Sequence, residues 1–153
     1  MKLSSGDFEK EGRIPDRFTC KGEDISPSFH IDGIDPEAES LALIMDDPEA
    51  PLGIFIHWLI WNIPAEIDRI PSAVEKKERP KGIKGAIQGE NDFNEIGYRG
   101  PCPPKNSEHI YRFNLYALNK KLNLEPGSRR EKIQQSMEGI ILEKTLLRCS
   151  LSR

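Results

Sequence analysis

Leu41-Ala42-Leu43-Ile44-Met45, the turn Asp46-Asp47-Pro48-Glu49-Ala50-Pro51, and Ile54-Phe55-Ile56-His57-Trp58-Leu59-Ile60-Trp61 decide the fold between them. Both flanking runs are continuously apolar rather than alternating, which predicts strands buried on both faces. Pro48 and Pro51 exclude one long helix across them, because proline lacks the backbone donor that a helix interior needs. Working outward, His109 to Leu118 reads as a third long strand. Under a period of two, His109, Tyr111, Phe113, Leu115 and Ala117 share one of its faces. Shorter pieces around Phe29–Ile31, Gly82–Gln88 and Leu146–Leu151 are expected to pair with these. Glu66 to Lys81 is charged and proline-punctuated, and reads as a solvated excursion.

One helix is predicted late in the chain. Ser128 and Glu131 have capping-box spacing after the Pro126-Gly127 turn. Ile133, Met137, Ile140 and Ile141 then recur at helical spacing and make one apolar stripe. Gly139 costs a helix interior about 1 kcal/mol relative to alanine and marks a stopping point. Many strands with one or two late, peripheral helices imply a mainly β, sandwich-like single domain over 1–153.

Composition narrows the function classes. The chain is 37% hydrophobic and 31% charged, which suits a packed domain and disfavours disorder. A formal charge of −3 and a pI near 5.7 supply no electrostatic reason to bind nucleic acid. The uncharged run Pro51 to Ala65 is too short for a membrane span. Met1 to Asp7 contains no apolar signal region. Cys20, Cys102 and Cys149 are odd in number and widely spaced, so no disulfide framework is expected and a reducing cytoplasm fits.

Two of the three histidines follow rigid turns. His57 comes six residues after Pro51. His109 follows Gly100-Pro101-Cys102-Pro103-Pro104-Lys105. Stiff turns beside carboxylates and imidazoles build a small polar cavity whose groups cannot drift. Asp46 and Asp47 point to opposite faces of their strand, so only one can face such a cavity. A carboxylate bonded to His57 would fix its tautomer and leave the other ring nitrogen for a ligand. His109, Tyr111 and the amides of Gly100 and Cys102 are donors suited to a phosphate or carboxylate oxygen. For each residue a plain reading competes: Asp47 as a turn initiator, His57 as a satisfied core histidine, His30 as a surface residue. Cys102 as a thiol nucleophile, or zinc held by His57, His109 and a carboxylate, are alternatives without motif spacing in their favour.

The Asp47-Pro48-Glu49-Ala50-Pro51…His57-Trp58 block and the Gly100-to-Lys105…His109 block resemble the phosphatidylethanolamine-binding protein family, which includes the Raf kinase inhibitor proteins. Gln88-Gly89-Glu90-Asn91-Asp92-Phe93 and Gly97-Tyr98 resemble its prokaryotic branch. The resemblance implies a large central sheet, a smaller flanking sheet and peripheral helices. It selects Asp47 over Asp46 for the pocket and makes Ala50-Pro51 a candidate cis peptide. It further implies a ligand-binding pocket of Asp47, Ala50, Pro51, His57, Gly100, Cys102, Pro103, Pro104, His109 and Tyr111, with no cofactor and no metal. The family usually reads His-Arg-Tyr-aliphatic where this chain has His109-Ile110-Tyr111-Arg112. Glu49 stands where an aspartate is common.

Together these readings lead to the expectation of a non-enzymatic binding protein for a small anion, phosphorylated head-group or phosphorylated side chain, modulating a partner such as a kinase. Serine protease inhibition is the second expectation. A hydrolase using Asp47 and His57 is the third. Apolar strands and the resemblance to prokaryotic relatives leave room for a homodimer.

Overall fold

The computed structural model describes residues 1–153. Its strands are β1 (Lys2–Ser4), β2 (Phe29–Asp32), β3 (Ser40–Asp47), β4 (Phe55–Pro64), β5 (Arg69–Ile70), β6 (Ile87–Gln88), β7 (Glu108–Leu118) and β8 (Ile141–Ser152). A 3-10 turn spans Asp16–Phe18, and one helix, α1, spans Arg130–Met137. A five-stranded sheet runs β6-β4-β3-β7-β8, a three-stranded sheet runs β1-β2-β5, and all pairings within them are antiparallel. The mainly β architecture with a large and a small sheet is as expected.

The two apolar runs are β3 and β4, at the centre of the large sheet, and every residue of β3 is buried. Leu41, Leu43 and Met45 face the small sheet together with Trp58, Ile60 and the predicted β7 face Tyr111, Phe113, Leu115 and Ala117, and meet Phe29 and Ile31 of β2 there. Ala42 and Ile44 face the other way, onto a second core with Leu59, Trp61, Ile133 and Met137. Helix α1 lies over that second face, placed there by its apolar stripe.

Four local expectations are corrected. Ser128 does not cap α1: its hydroxyl donates to Glu125 O (2.6 Å), and Arg129 occupies the cap position with no side-chain bond. Ile141 leaves the stripe to begin β8, because Gly139 (φ +78°) ends the helical path. β8 extends well before Leu146 because its backbone pairs with β7 along its length, although Ile141 to Leu146 bury little and so lack a strand's apolar alternation. β6 is only two residues long, since Gly85 turns the chain at φ +88°.

The Glu66–Lys81 excursion is also not free. Ile70 pairs with Phe29 in the small sheet, and Ile70 and Val74 are buried. Gln88, itself buried, ties the excursion to the large sheet. Its Oε1 accepts from Trp58 Nε1 (2.6 Å), while its Nε2 donates to Glu75 O (2.7 Å) and Lys77 O (2.8 Å). Removing that amide strands a buried indole donor and two carbonyls. Gln88→Ala is expected to lower the unfolding free energy by about 2–4 kcal/mol in urea titrations. A loss under about 0.5 kcal/mol, the scale of an ordinary surface change, would contradict this role.

Candidate functional site

His57 reaches its position through a backbone irregularity. The β3–β4 register pairs Met45 with Trp58 but Asp46 with Ile56, so His57 is an extra residue on β4. Such a β-bulge shifts the side-chain alternation by one. Ile56 and Leu59 accordingly both face the helix-side core, while His57 lies beside Tyr111, on the side of Trp58. Strict alternation would have sent His57 toward the core under α1.

The bulge is held from outside the sheet. Ile56 N donates to Asp92 Oδ2 (2.8 Å), and Arg99 N donates to His57 O (3.1 Å). The ring Nδ1 of His57 lies 2.6 Å from Arg99 O. A carbonyl can only accept, so Nδ1 carries the proton and Nε2 of the neutral ring is an acceptor. Phe55, Phe93 and Tyr111 surround the imidazole edge-on, each with its centroid 5.4 Å away. That apolar packing pushes the His57 pKa below its ordinary value, outweighing the Arg99 carbonyl and the more distant charge of Asp47.

Asp47 ends β3 and does two jobs. Its Oδ1 accepts from Glu49 N (2.9 Å), which initiates the turn, and its Oδ2 lies 2.6 Å from His109 Nδ1. The turn-initiating reading of this residue holds, and its second oxygen meets an imidazole. The expected Asp47–His57 bond is not formed. The bulge puts His57 against the Arg99 carbonyl, and His109, opening β7, takes the carboxylate instead. Asp46 points to the opposite face, where Arg112 grips it through two bonds (2.8 and 2.9 Å). Arginine at 112 thus finds a carboxylate on its own face, and Ile110 N contacts Glu49 Oε1 (3.2 Å).

Asp47, Ala50, Pro51, His57, Cys102, Pro103, Pro104, His109 and Tyr111 line one recess of about 170 Å³. Tyr111 is kept protonated: burial, and then the charge of Asp47, raise its pKa well above the ordinary phenol value. No hydrogen bond within the chain engages its hydroxyl, and the residue lines the recess. Phe55 and Phe93 complete the lining and were not expected. Phe93 is placed by buried Asn91, whose Oδ1 accepts from Phe93 N (2.9 Å) and whose Nδ2 donates to Gly97 O (2.9 Å). That arrangement is the physical content of the Gln88–Phe93 stretch.

Three expectations at the site are corrected. Gly100 is not part of the recess. Its amide donates to Asp24 Oδ1 (2.7 Å), and a side chain there would collide with Phe18 O at 2.1 Å, so this glycine serves close packing. The Ala50-Pro51 peptide is trans; the chain reverses instead through Gly53 (φ +109°), whose amide donates to Ala50 O (3.1 Å). Cys102 is bonded to Cys20 in a disulfide, 82 residues away in sequence, with Cα atoms 5.4 Å apart. Sequence spacing hid this pair because the fold, not the local chain, brings them together. Cys102 is therefore no thiol nucleophile in this state, and the cysteine argument for a reducing compartment loses its premise.

His57 has a consequence for stability. Its pKa is depressed in the folded chain relative to an ordinary value near 6.5, so below that pH the unfolded chain binds more protons than the folded one. Stability should fall as pH drops from about 6.5 toward the folded pKa, and level off below it. His57→Phe should flatten that slope. Imidazole titration by NMR should place the His57 midpoint below 6.5, and a midpoint at or above it contradicts the burial argument.

A model of the family described as phosphatidylethanolamine-binding protein matches residues 4–152. A UPF0098 protein of Methanothermobacter thermautotrophicus is 46% identical over 147 residues, covering 96% of this chain and 95% of that protein. Another, from Pyrococcus abyssi, is 45% identical over 144 residues, 94% of this chain and 80% of that protein. Among solved structures, the phosphatidylethanolamine-binding protein homologue CT736 of Chlamydia trachomatis superposes with a TM-score of 0.89 at 33% identity, over 99% of this chain and 96% of that one. YbcL of E. coli, described as a member of the mammalian family, gives 0.91 at 25% identity over 99% and 98%. On these matches, which run nearly end to end, the chain belongs to the phosphatidylethanolamine-binding protein family.

Proposed function

We propose that this chain is a non-catalytic receptor for a small oxyanion: phosphate, a phosphorylated head-group or a phosphorylated side chain. The supporting observation is the convergence of two imidazoles and an unpartnered phenol on one small recess. Both Nδ1 atoms are committed to protein acceptors, so the two Nε2 atoms and the Tyr111 hydroxyl are the polar positions left for a ligand. Neutral His57 accepts a proton-bearing oxygen, the Tyr111 hydroxyl donates, and the His109 Nε2 is the ring position left facing the ligand while Asp47 holds its Nδ1. A singly protonated phosphate monoester offers both kinds of oxygen. The recess, at about 170 Å³, has room for such a group.

Several features favour binding over turnover. No serine lines the recess, and the one cysteine in its wall is oxidised. Both oxygens of Asp47 are engaged, and its imidazole partner is His109, so the Asp47–His57 base of a hydrolase is not assembled. No group of three histidine, cysteine or acidic side chains is gathered as a metal cage. A phosphorylated residue on a partner protein would occupy the site and let the chain regulate a kinase or its substrate. One observation favours a second reading, serine protease inhibition. The exposed Pro104-Lys105 tip is braced by the Cys20–Cys102 bond, as a loop that enters a protease cleft needs to be. Titration against trypsin-like and chymotrypsin-like enzymes decides it, and an absence of inhibition at micromolar concentration ends it.

Calorimetry with inorganic phosphate, phosphoethanolamine and acetate tests the receptor reading. The phosphorylated ligands are expected to bind, with affinity reduced at least about tenfold in His57→Ala/His109→Ala, equivalent to about 1.4 kcal/mol. Absence of binding to all three, or unchanged affinity in the folded double variant, would overturn the reading.

A further inference from the structure

The Cys20–Cys102 disulfide is placed where it can act on the recess rather than merely on the fold. Cys102 lines the recess wall and is exposed; Cys20 is half-buried behind it. The wall segment has little else to hold it. Between Pro101, whose carbonyl accepts from Cys20 N (3.2 Å), and Asn106, whose amide donates to Arg153 O (2.7 Å), residues 102–105 make no backbone-to-backbone hydrogen bond. Pro103 and Pro104 have no amide hydrogen to contribute. What remains is the burial of Pro103, with Arg153 Nη1 on Pro103 O (3.2 Å) and Cys102 Sγ (3.4 Å), and Ser107 Oγ on Pro104 O (2.6 Å). The residues just before it are well fixed. Gly100 N bonds Asp24, and Tyr98 Oη donates to Phe18 O (2.6 Å). Loss of the covalent link therefore frees the pocket wall and loosens the two bonds that close it, Cys20 N to Pro101 O and Asn106 N to Arg153 O, while Tyr98 and Gly100 keep their partners.

We propose that Cys20–Cys102 is a site of reversible thiol–disulfide exchange that sets the affinity of the oxyanion recess, high when oxidised and low when reduced. The co-reactant is a dithiol. Its thiolate attacks the accessible Cys102 Sγ, the bond to Cys20 breaks, and Cys20 leaves as a thiolate that takes up a proton. The second sulfur of the dithiol then displaces Cys102, which leaves as a thiolate and is protonated in turn. The reductant departs as its own disulfide, and two electrons have passed to the protein. The Arg153 guanidinium beside Cys102 Sγ favours that departure by stabilising the thiolate. Cys149 does not compete: it is buried, and burial pushes its thiol up to about 12.

The affinity arm rests on the receptor reading; the structural arm does not. Thiol titration in denaturant should find one thiol before dithiothreitol treatment, that of Cys149, and three after it. Three thiols in protein never exposed to reductant would overturn the proposal. Hydrogen exchange at the amides of Cys20 and Asn106 should quicken at least about tenfold on reduction while that of Leu43 stays protected. The same should hold in the double variant Cys20→Ser/Cys102→Ser. Unchanged exchange at both amides overturns the anchor. Calorimetry with inorganic phosphate should show the dissociation constant rising about three- to tenfold on reduction, and equal constants in the two redox states overturn the coupling. Failure of the oxidised protein to bind phosphate defeats the receptor reading instead, and the exchange data then decide on the anchor alone.

Discussion

One extra residue on β4 gives the molecule its site. Without the bulge at His57, strand alternation would bury that imidazole beneath α1, in a core otherwise built from Ala42, Ile44, Leu59, Trp61, Ile133 and Met137. With it, His57 joins Tyr111 and His109 on the other side of the sheet, and Trp58 keeps its place in the main core. The cost is a break in the ladder, and the segment from Asp92 to Arg99 offsets it by bonding Ile56 and the bulged His57 itself. The loop that carries Phe93 and the strand that carries His57 are therefore one mechanical unit.

Charge is managed by the same economy of placement. The adjacent carboxylates at the end of β3 go to opposite faces, and each finds a cationic or imidazole partner on its own side: Arg112 for Asp46, His109 for Asp47. Neither is left as an isolated buried charge, which would be severely destabilising in this setting. The exchange of arginine and isoleucine along β7 thus keeps an ion pair and leaves the recess untouched, because positions 110 and 112 lie on the face away from Tyr111. Proline at 48, 51, 103 and 104 restricts the turns that border the recess.

Those parts of the molecule that follow from period and turn chemistry were legible in the sequence. Leu41–Met45 and the odd-numbered face of β7 announce themselves through burial, and the proline turns through lost donors. What escaped depends on contacts between distant segments. The bulge leaves no trace in the composition of β4, so the partner of Asp47 was misassigned. Cys20 and Cys102 are joined only because the 3-10 turn packs beside the Gly100 loop. Ser128 is a local exception: it has the right spacing for a cap, but its hydroxyl donates to the Glu125 carbonyl three residues back. Ile141 to Leu146 form strand because β7 offers them a ladder, against a local pattern that argues otherwise.

The central position of β3 has a kinetic price. Its first neighbour, β4, follows directly, but its second, β7, is contributed by residues far downstream, as in the 70-residue separation of Ile44 and Asn114. A chain that has formed only the β3–β4 hairpin exposes apolar side chains on both faces, and closing the long loop to β7 loses entropy before any contact rewards it. Assembly on the millisecond-to-second scale of nonlocal β topologies is expected, with the half-built hairpin as the species most prone to self-association.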